Sequence, residues 1–535
     1  MVRMKTPADY DLPSSHTDWR EHQLESIEWC EAQTGAAIVE APTGSGKTSY
    51  AKAVSQSRSV VALVRTKSLQ AGNYRDTYGA EILFGRGNYD CTHPDNLGAT
   101  CADCLYEESM HRCPYSNRCK YLLAKAKCKA SPFVALNYPY WMTSKSWRDD
   151  PPQALLLDEC HNLEAIITDW CGCTITEKDR VEWFLPDFPR ISGRRPNAMF
   201  ITELQHDPAE VAIDWLRDVW KVMDRACKAL KGGDKKRLRK AENIRRKVEV
   251  TGQALRQCSD DWFLRSGPAA LKFGKEQRPG FAAKPLTAKY HFPHYFLNGH
   301  ATIAMSATVG DPGTFSEELG IPDYVFRSVP SRYPPEARQV HALDVPSMGR
   351  KATDKDFEHQ ADAIAKAILS CPRMWSGLIH VTRKREAKLL ADRLARRGLG
   401  DRIWPMDGWD GVYVPTDGQV AAWDNRKKRV PGSLCITWSL WEGFDGTSEK
   451  INIVAKVPWP YLGDEYEKAK LHYSGRLYHQ RTAWQLEQGL GRTRRGRDED
   501  YDLSEVQGYV AIADGSWPRV KKYVSQALRE SLTLD

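Results

Sequence analysis

The chain has 535 residues, 41% of them hydrophobic and 27% charged, with a formal net charge of +8. That length implies roughly three to four domains, and the composition excludes a disordered chain, a collagen-like fibre and a disulfide miniprotein. No apolar run reaches about 18 residues, so no membrane-spanning helix and no membrane partner is expected. The mild positive charge is compatible with a polyanionic partner without establishing one.

The first twelve residues are polar and lack the apolar stretch of a secretory signal, so a protein that is not secreted is expected. Residues 36–40 (AAIVE) form a short apolar run suited to a buried strand. A glycine-rich turn follows, 49–55 is compatible with a helix, and 60–64 reads as the next strand. Strands alternating with helices imply a parallel sheet with crossover helices. A cysteine-rich stretch then breaks the rhythm, with six of the fourteen cysteines between Cys91 and Cys128. It has little apolar periodicity, so something other than a large core must support it. In a reducing compartment, clustered cysteines are more often metal ligands than disulfides. The α/β pattern resumes at 154–157.

From about 164 to 290 the pattern turns helical, with 209–230 as a clear segment. Residues 235–247 (KKRLRKAENIRRK) read as a strongly basic helical run with almost no apolar face. Strand-like runs return at 301–305, 377–381, 451–457 and 508–513, and the last three mark a second α/β domain.

Ala41-Pro42-Thr43-Gly44-Ser45-Gly46-Lys47-Thr48 follows the first strand and opens the first helix. Glycines there let backbone N–H groups turn toward phosphate oxygens, and the helix N-terminus favours negative charge. Lys47 would reach the β- and γ-phosphates of ATP, and the Thr48 hydroxyl would ligate Mg²⁺. Asp158-Glu159-Cys160-His161 follows the strand at 154–157, where ligands bind in open α/β sheets. Asp158 would hold Mg²⁺ and Glu159 would orient and deprotonate a water. An isolated Asp-Glu pair is ordinarily a solvated turn; its place after a strand and downstream of a phosphate loop favours chemistry. The third element is 485–497, QLEQGLGRTRRGR, whose forked guanidinium groups suit phosphate oxygens.

Together these elements resemble a superfamily-two helicase. APTGSGKT is similar to its motif I, DECH to motif II, Ser306-Ala307-Thr308 to motif III, and QGLGRTRR (488–495) to motif VI. Arg20 and Gln23 sit where this group places an adenine-recognising Gln motif. Residues 64–69 resemble motif Ia, which touches the nucleic-acid backbone, and 442–446 resemble motif V. The cysteine-rich insertion between motifs I and II, with GRGNYDC before it and Cys113-Pro114-Tyr115 near its end, points to the iron–sulfur XPD/DinG branch. Cys160 stands where that branch often has Ala, and Ala41 where many phosphate loops have Gly.

The resemblance implies an α/β fold of two RecA-like parallel-sheet motor domains, with an iron–sulfur insertion and a mainly helical arch insertion in the first. The expected division is motor domain 1 in three pieces (1–86, 129–165 and 296–330), the cluster domain at 87–128, the arch at 166–295 and motor domain 2 at 331–535. Cys91, Cys101, Cys104 and Cys113 are implied as ligands of a 4Fe–4S cluster. Cys119 is the alternative fourth ligand. A tetrahedral Zn²⁺ site from Cys101, Cys104, Cys113 and Cys119 stays open. Thr43, Gly44, Ser45, Gly46, Lys47 and Thr48 would bind ATP and Mg²⁺ with Asp158. Gln488, Arg492 and Arg495 would reach across from the second domain, and His161 would couple the two.

Thr66 and Lys67 are the expected nucleic-acid contacts, with the basic run at 235–247 as a further track. The implied function is an ATP-dependent DNA helicase moving 5′–3′ on single strands and opening forked duplexes, as a monomer. Its compartment would be cytoplasmic, at the nucleoid, or nuclear, with DNA repair among its open pathways. The alternatives are a nucleic-acid-stimulated ATPase that remodels complexes without unwinding, and an ATP-gated or redox-sensing nucleic-acid binder.

Overall fold

Short apolar runs bounded by polar turns build both sheets of the molecule. A computed structural model describes residues 5–42, 45–96, 98–104, 106–191, 207–231, 233–273, 276–331, 334–404, 416–438, 449–491 and 508–534. Ala36–Glu40 (β1), Val60–Val64 (β2), Glu81–Ile82 (β3), Phe133–Asn137 (β4) and Ala154–Asp158 (β5) come first. The chain then leaves the sheet for an insertion that carries Cys173–Thr176 (β6), Trp262–Phe273 (β7) and Glu276–Pro285 (β8). It returns with Ala301–Ser306 (β9) and Val325–Ser328 (β10). The first sheet has the order β10-β1-β9-β5-β2-β4-β3 and is parallel throughout. β2, β5 and β9 are buried along their whole length, as parallel strands covered by helices on both faces must be.

The second sheet is built from Val340–Ala342 (β11), Gly377–His380 (β12), Ile403–Trp404 (β13), Leu434–Thr437 (β14), Ile451–Val454 (β15), Tyr509–Ile512 (β16) and Leu532–Leu534 (β17). Its order is β13-β14-β12-β15-β16-β11-β17, again all parallel. The fold is therefore α/β with two RecA-like parallel sheets.

The insertion differs from its sequence-based reading in two ways. It contains a three-stranded antiparallel sheet, β6-β8-β7, beside its helices. The β7/β8 hairpin was hidden by Gly267, Pro268, Pro279 and Gly280, which read as breakers; its register shifts between Gly267 and Leu271. The basic helix also extends to Lys235–Gln257 and does have an apolar face. Ala241, Ile244, Val248 and Leu255 repeat at helical spacing and pack with Trp215, Leu216, Val219 and Met223 of the partner helix Pro208–Leu230. The stripe begins only at Ala241, after the charged stretch KKRLRK, which makes the face hard to see.

Candidate nucleotide site and nucleic-acid interface

The phosphate loop leaves the C-terminal end of β1 and enters the helix Lys47–Val54 at Gly46, whose φ of 83° lies in the left-handed region. A Cβ there would come within 2.4 Å of the Gln23 side-chain nitrogen, so glycine is required twice over. Thr43 and Gly44 lie outside the described residues. Lys47 Nζ donates to the carbonyls of Ala41 at 2.9 Å and Pro42 at 3.4 Å, which folds its side chain back over the loop. Thr48 is the second residue of the helix, and Ser45 lies in the turn before it. Gln23 is buried: its oxygen accepts from the Arg20 amide at 3.0 Å and its nitrogen donates to Ser49 Oγ at 2.7 Å. It braces the loop helix from below.

Asp158 ends β5 with its carboxylate held on both oxygens. Oδ1 accepts from the Glu159 amide at 3.0 Å and Oδ2 accepts from Tyr74 Oη at 3.0 Å. Tyr138 Oη donates to the Asp158 carbonyl at 2.7 Å. Burial and the adjacent Glu159 push the Asp158 carboxyl up to about 6, with Lys47 opposing. A cation at this position would favour the ionised form, so the site is electrostatically suited to one. Glu159 adopts a left-handed φ of 53°, an unfavourable conformation for a residue with a side chain, of the kind that collects at functional sites.

A chain of hydrogen bonds leads from His161, beside this carboxylate pair, to the second domain. Asn162 Nδ2 donates to His161 Nε2 at 2.9 Å, which leaves the ring proton on Nδ1. Nδ1 stands 2.8 Å from Ser306 Oγ and 3.4 Å from Glu159 Oε2. Ser306 Oγ is 3.4 Å from Thr308 Oγ1, which accepts from Gln488 Nε2 of helix Gly475–Leu490 at 3.3 Å. The same helix donates from Trp484 Nε1 and Gln480 Nε2 to the Val309 carbonyl, at 2.9 and 2.7 Å. DECH, the Ser-Ala-Thr segment and Gln488 thus meet, 145 and 180 residues apart at the two junctions. Arg492, Arg495 and residues 442–446 lie outside the described residues. A cleft between the domains, of about 80 Å³, is lined by Pro42, Thr308, Arg338, Glu487 and Gly491.

Beyond the C-terminal end of β2, Thr66 lies just before the wide-turned helix Leu69–Thr77, its Oγ1 accepting from the Leu69 amide at 3.2 Å. Lys67 donates to Asn88 Oδ1 at 2.6 Å and lines a cavity of about 630 Å³. Arg86, His111, Lys125 and Arg246 supply further basic groups to its wall, and Tyr140 and Trp170 supply aromatic faces. The Arg246 guanidinium lies 4.6 Å from the Trp170 ring centroid. Cationic and aromatic groups in one concavity suit a single-stranded backbone with its bases.

Much of the remaining basic run is engaged within the protein. Arg239 pairs with Asp103 at 2.5 Å, Lys235 donates to Asn96 Oδ1 at 3.0 Å, Lys240 pairs with Glu182 at 2.6 Å, and Arg245 with Asp224 at 2.9 Å. Of the residues expected to form a nucleic-acid track there, Arg246 is the one the structure puts into the cavity wall.

The cysteine-rich segment gathers Cys91, Cys101, Cys104, Cys113 and Cys119. Cys101 Sγ and Cys119 Sγ are 3.8 Å apart. Burial, then the Cys119 thiol, pushes the Cys101 thiol up to about 12, with Cys91 adding to it. Burial raises the Cys104 thiol, and Cys113, Cys91 and Cys119 contribute. Thiols that resist ionisation together become thiolates when they share a cation, so the donor set suits a metal group. Among the described residues no three such side chains yet stand at metal-holding spacing. Cys128 is buried under the first sheet, in its core cluster.

No family model matches the chain, and no curated protein matches it. Solved structures do. An XPD helicase structure covers 100% of this chain and of its own length at 15% identity, with a TM-score of 0.55. A second XPD structure, in the apo form, covers 96% of this chain and 100% of its own at 15% identity and a TM-score of 0.52. Xpd4 of S. tokodaii covers 96% and 100% at 12% identity, with a TM-score of 0.55. At such identities the likeness is one of fold. From its first described residue to its last, the chain has the fold of an XPD-type helicase.

Proposed function

We propose that the chain is an ATP-driven, Mg²⁺-dependent motor that moves 5′–3′ on single-stranded DNA and separates forked duplexes. Lys47 and the loop amides would bind phosphate, Thr48 and Asp158 would hold Mg²⁺, and Glu159 would activate water. Gln488, Arg492 and Arg495 would complete the site from the second domain. The observation that carries the reading is the hydrogen-bonded path His161–Ser306–Thr308–Gln488, which ties the ring beside Glu159, 3.4 Å from that candidate water-activating carboxylate, to the opposite sheet's helix. A path of that kind lets nucleotide state and domain position bias each other. The basic and aromatic cavity beside Lys67 supports a single strand as the track.

The cysteine-rich segment would hold a thiolate-bound metal group, a 4Fe–4S cluster in this reading, through four of Cys91, Cys101, Cys104, Cys113 and Cys119. Such a group would cross-link a segment without a large core. The 3.8 Å separation of Cys101 and Cys119 is the edge of a tetrahedron around one ion with bonds of about 2.3 Å, and this favours zinc as the second reading.

The test measures phosphate release and strand separation on anaerobically purified protein of known iron, sulfide and zinc content. Lys47→Ala and Glu159→Gln are expected to abolish turnover in folded protein. Forks with a free 5′ tail are expected to be opened, and those with only a 3′ tail left intact. Turnover without any strand separation would replace the helicase by a remodelling translocase. Normal turnover in Glu159→Gln would remove the site.

A further inference from the structure

Tyr74 has no place in the sequence motifs, yet its ring is fully buried and its hydroxyl donates to Asp158 Oδ2 at 3.0 Å. The other oxygen, Oδ1, takes the Glu159 amide at 3.0 Å. A carboxylate offers about four lone-pair positions, so each oxygen keeps one for an ion or its water. The two donors therefore fix the rotation of the Asp158 side chain and the direction of its remaining lone pairs.

Tyr74 sits on the helix Leu69–Thr77, which follows directly on Thr66 and Lys67. Lys67 and Tyr74 are seven residues apart, less than two turns of this wide-turned helix. The helix is anchored between its ends: Gln70 Nε2 donates to the carbonyls of Leu83 at 3.0 Å and Ala135 at 2.7 Å. Lys67 lines the basic cavity at one end, and Tyr74 touches the candidate Mg²⁺ ligand at the other. A short, braced element thus spans from the strand interface to the nucleotide site.

We infer that Tyr74 is a positioning residue for Asp158, and that it carries the state of the strand at Lys67 to the Mg²⁺-nucleotide site. The inference rests on the proposed function, because it needs Asp158 to hold Mg²⁺. It is a role for a hydroxyl, so Tyr74→Phe isolates it; the ring, which lies 6.3 Å from Phe133, stays in place.

The experiment titrates Mg²⁺ into full-length protein with a fluorescent ADP analogue, and Mn²⁺ by electron paramagnetic resonance, with and without single-stranded DNA. Analogue binding in EDTA is expected to be the same in wild type and Tyr74→Phe, which shows that the variant is folded. With metal, Tyr74→Phe is expected to need about five- to tenfold more Mg²⁺ for half-saturation. Single-stranded DNA is expected to tighten metal binding in wild type and to lose most of that effect in the variant, with its DNA affinity unchanged. An unchanged Mg²⁺ midpoint would overturn the positioning role. A shifted midpoint with the DNA effect intact would overturn the coupling. Wild-type protein that binds nucleotide without regard to Mg²⁺ would instead overturn the proposed function.

Discussion

Glu164 follows Asp158 by six residues and carries a buried ionic junction between the two domains. Its side chain is 3% exposed and that of its partner Lys470 is 2% exposed. Arg481 Nε stands 3.4 Å from the second Glu164 oxygen, and Arg481 also pairs with Glu467 at 3.1 Å. Glu318 lies beside them; burial, then Glu164, pushes its carboxyl up to about 8, so at pH 7 it is largely neutral. Two cations and two anions therefore balance. Burial opposes the Glu164 charge, but Lys470 and Arg481 hold its carboxyl below the usual range. Lys470→Met leaves Glu164 with Arg481 alone, a cation it shares with Glu467. Glu164→Gln leaves Lys470 beside a neutral amide. Breaking one side of a buried pair costs about 3–5 kcal/mol, whereas replacing both sides by apolar groups is often close to neutral. At about 2–4 °C per kcal/mol, each single variant is expected to lower the melting temperature by roughly 6–20 °C. The double variant Glu164→Met/Lys470→Met retains the Arg481–Glu467 pair and is expected to recover most of that loss. Thermal unfolding followed by circular dichroism gives all four corners of the cycle. Single variants that melt with the wild type, or a double variant whose loss equals the sum of the singles, would refute the reasoning.

A second buried acid gives a pH signature. Burial, then Glu40, pushes the Glu487 carboxyl up to about 8, while Ser525 donates to it from its amide at 2.7 Å and its hydroxyl at 2.6 Å. Between about pH 4.5 and pH 8 the unfolded chain ionises this group and the folded chain holds the proton. Its contribution to stability is thus fully present at low pH and is lost across that window, on the order of 3–5 kcal/mol. Urea unfolding at pH 6 and pH 8.5 is expected to show Glu487→Gln with a shallower decline than wild type; equal declines would reject the assignment. The contact between Arg239 and Asp103 bridges the two insertions. The Arg239 side chain is 53% exposed, so the pair is worth about 1 kcal/mol or less. Arg239→Ala is expected to leave the melting temperature unchanged and to speed loading onto circular single-stranded DNA relative to linear. Equal loading rates on both would show that the contact does not gate entry.

The elements that read clearly in the sequence are those whose signal is local. The run at 36–40 is β1 and that at 60–64 is β2, because fully buried parallel strands need contiguous apolar residues. The phosphate loop and DECH were equally legible, each being one contiguous turn after a strand. β4 and the β7/β8 hairpin were not singled out, the hairpin because its glycines and prolines mimic loop. The basic helix reads as a nucleic-acid track without an apolar face because charge dominates its first half. Non-local partners left no trace at all: Tyr74 meets Asp158 across 84 residues, and Glu164 meets Lys470 across 306. Nothing in either local pattern announces the other. The family resemblance placed the motifs together, but it said nothing of these two contacts.

The magnitudes also divide the domain interface into two kinds of contact. On the phosphate-loop side the domains meet through neutral hydrogen bonds, Gln488 to Thr308 and Trp484 and Gln480 to Val309, each worth about 1 kcal/mol net, and through the exposed Arg476, which stands 3.7 Å from Asp311 and 3.6 Å from Glu317 and adds about 1 kcal/mol or less. On the far side they meet through the Glu164–Lys470–Arg481 junction, where loss of one partner costs several times as much. Gly310 adds a steric limit, since a Cβ there would lie 2.0 Å from the Gln480 nitrogen and 2.3 Å from the Tyr523 carbonyl. A cycle driven by ATP must exchange contacts between the domains repeatedly. Contacts near 1 kcal/mol can be exchanged at each turnover; a buried ionic network cannot be opened without stranding a charge. The proposed motor would therefore open at Thr308 and Gln488 and pivot at Glu164. In that reading the contact that holds is the buried ionic one at Glu164, and the contacts that would be exchanged, at Thr308 and Gln488, are neutral and polar.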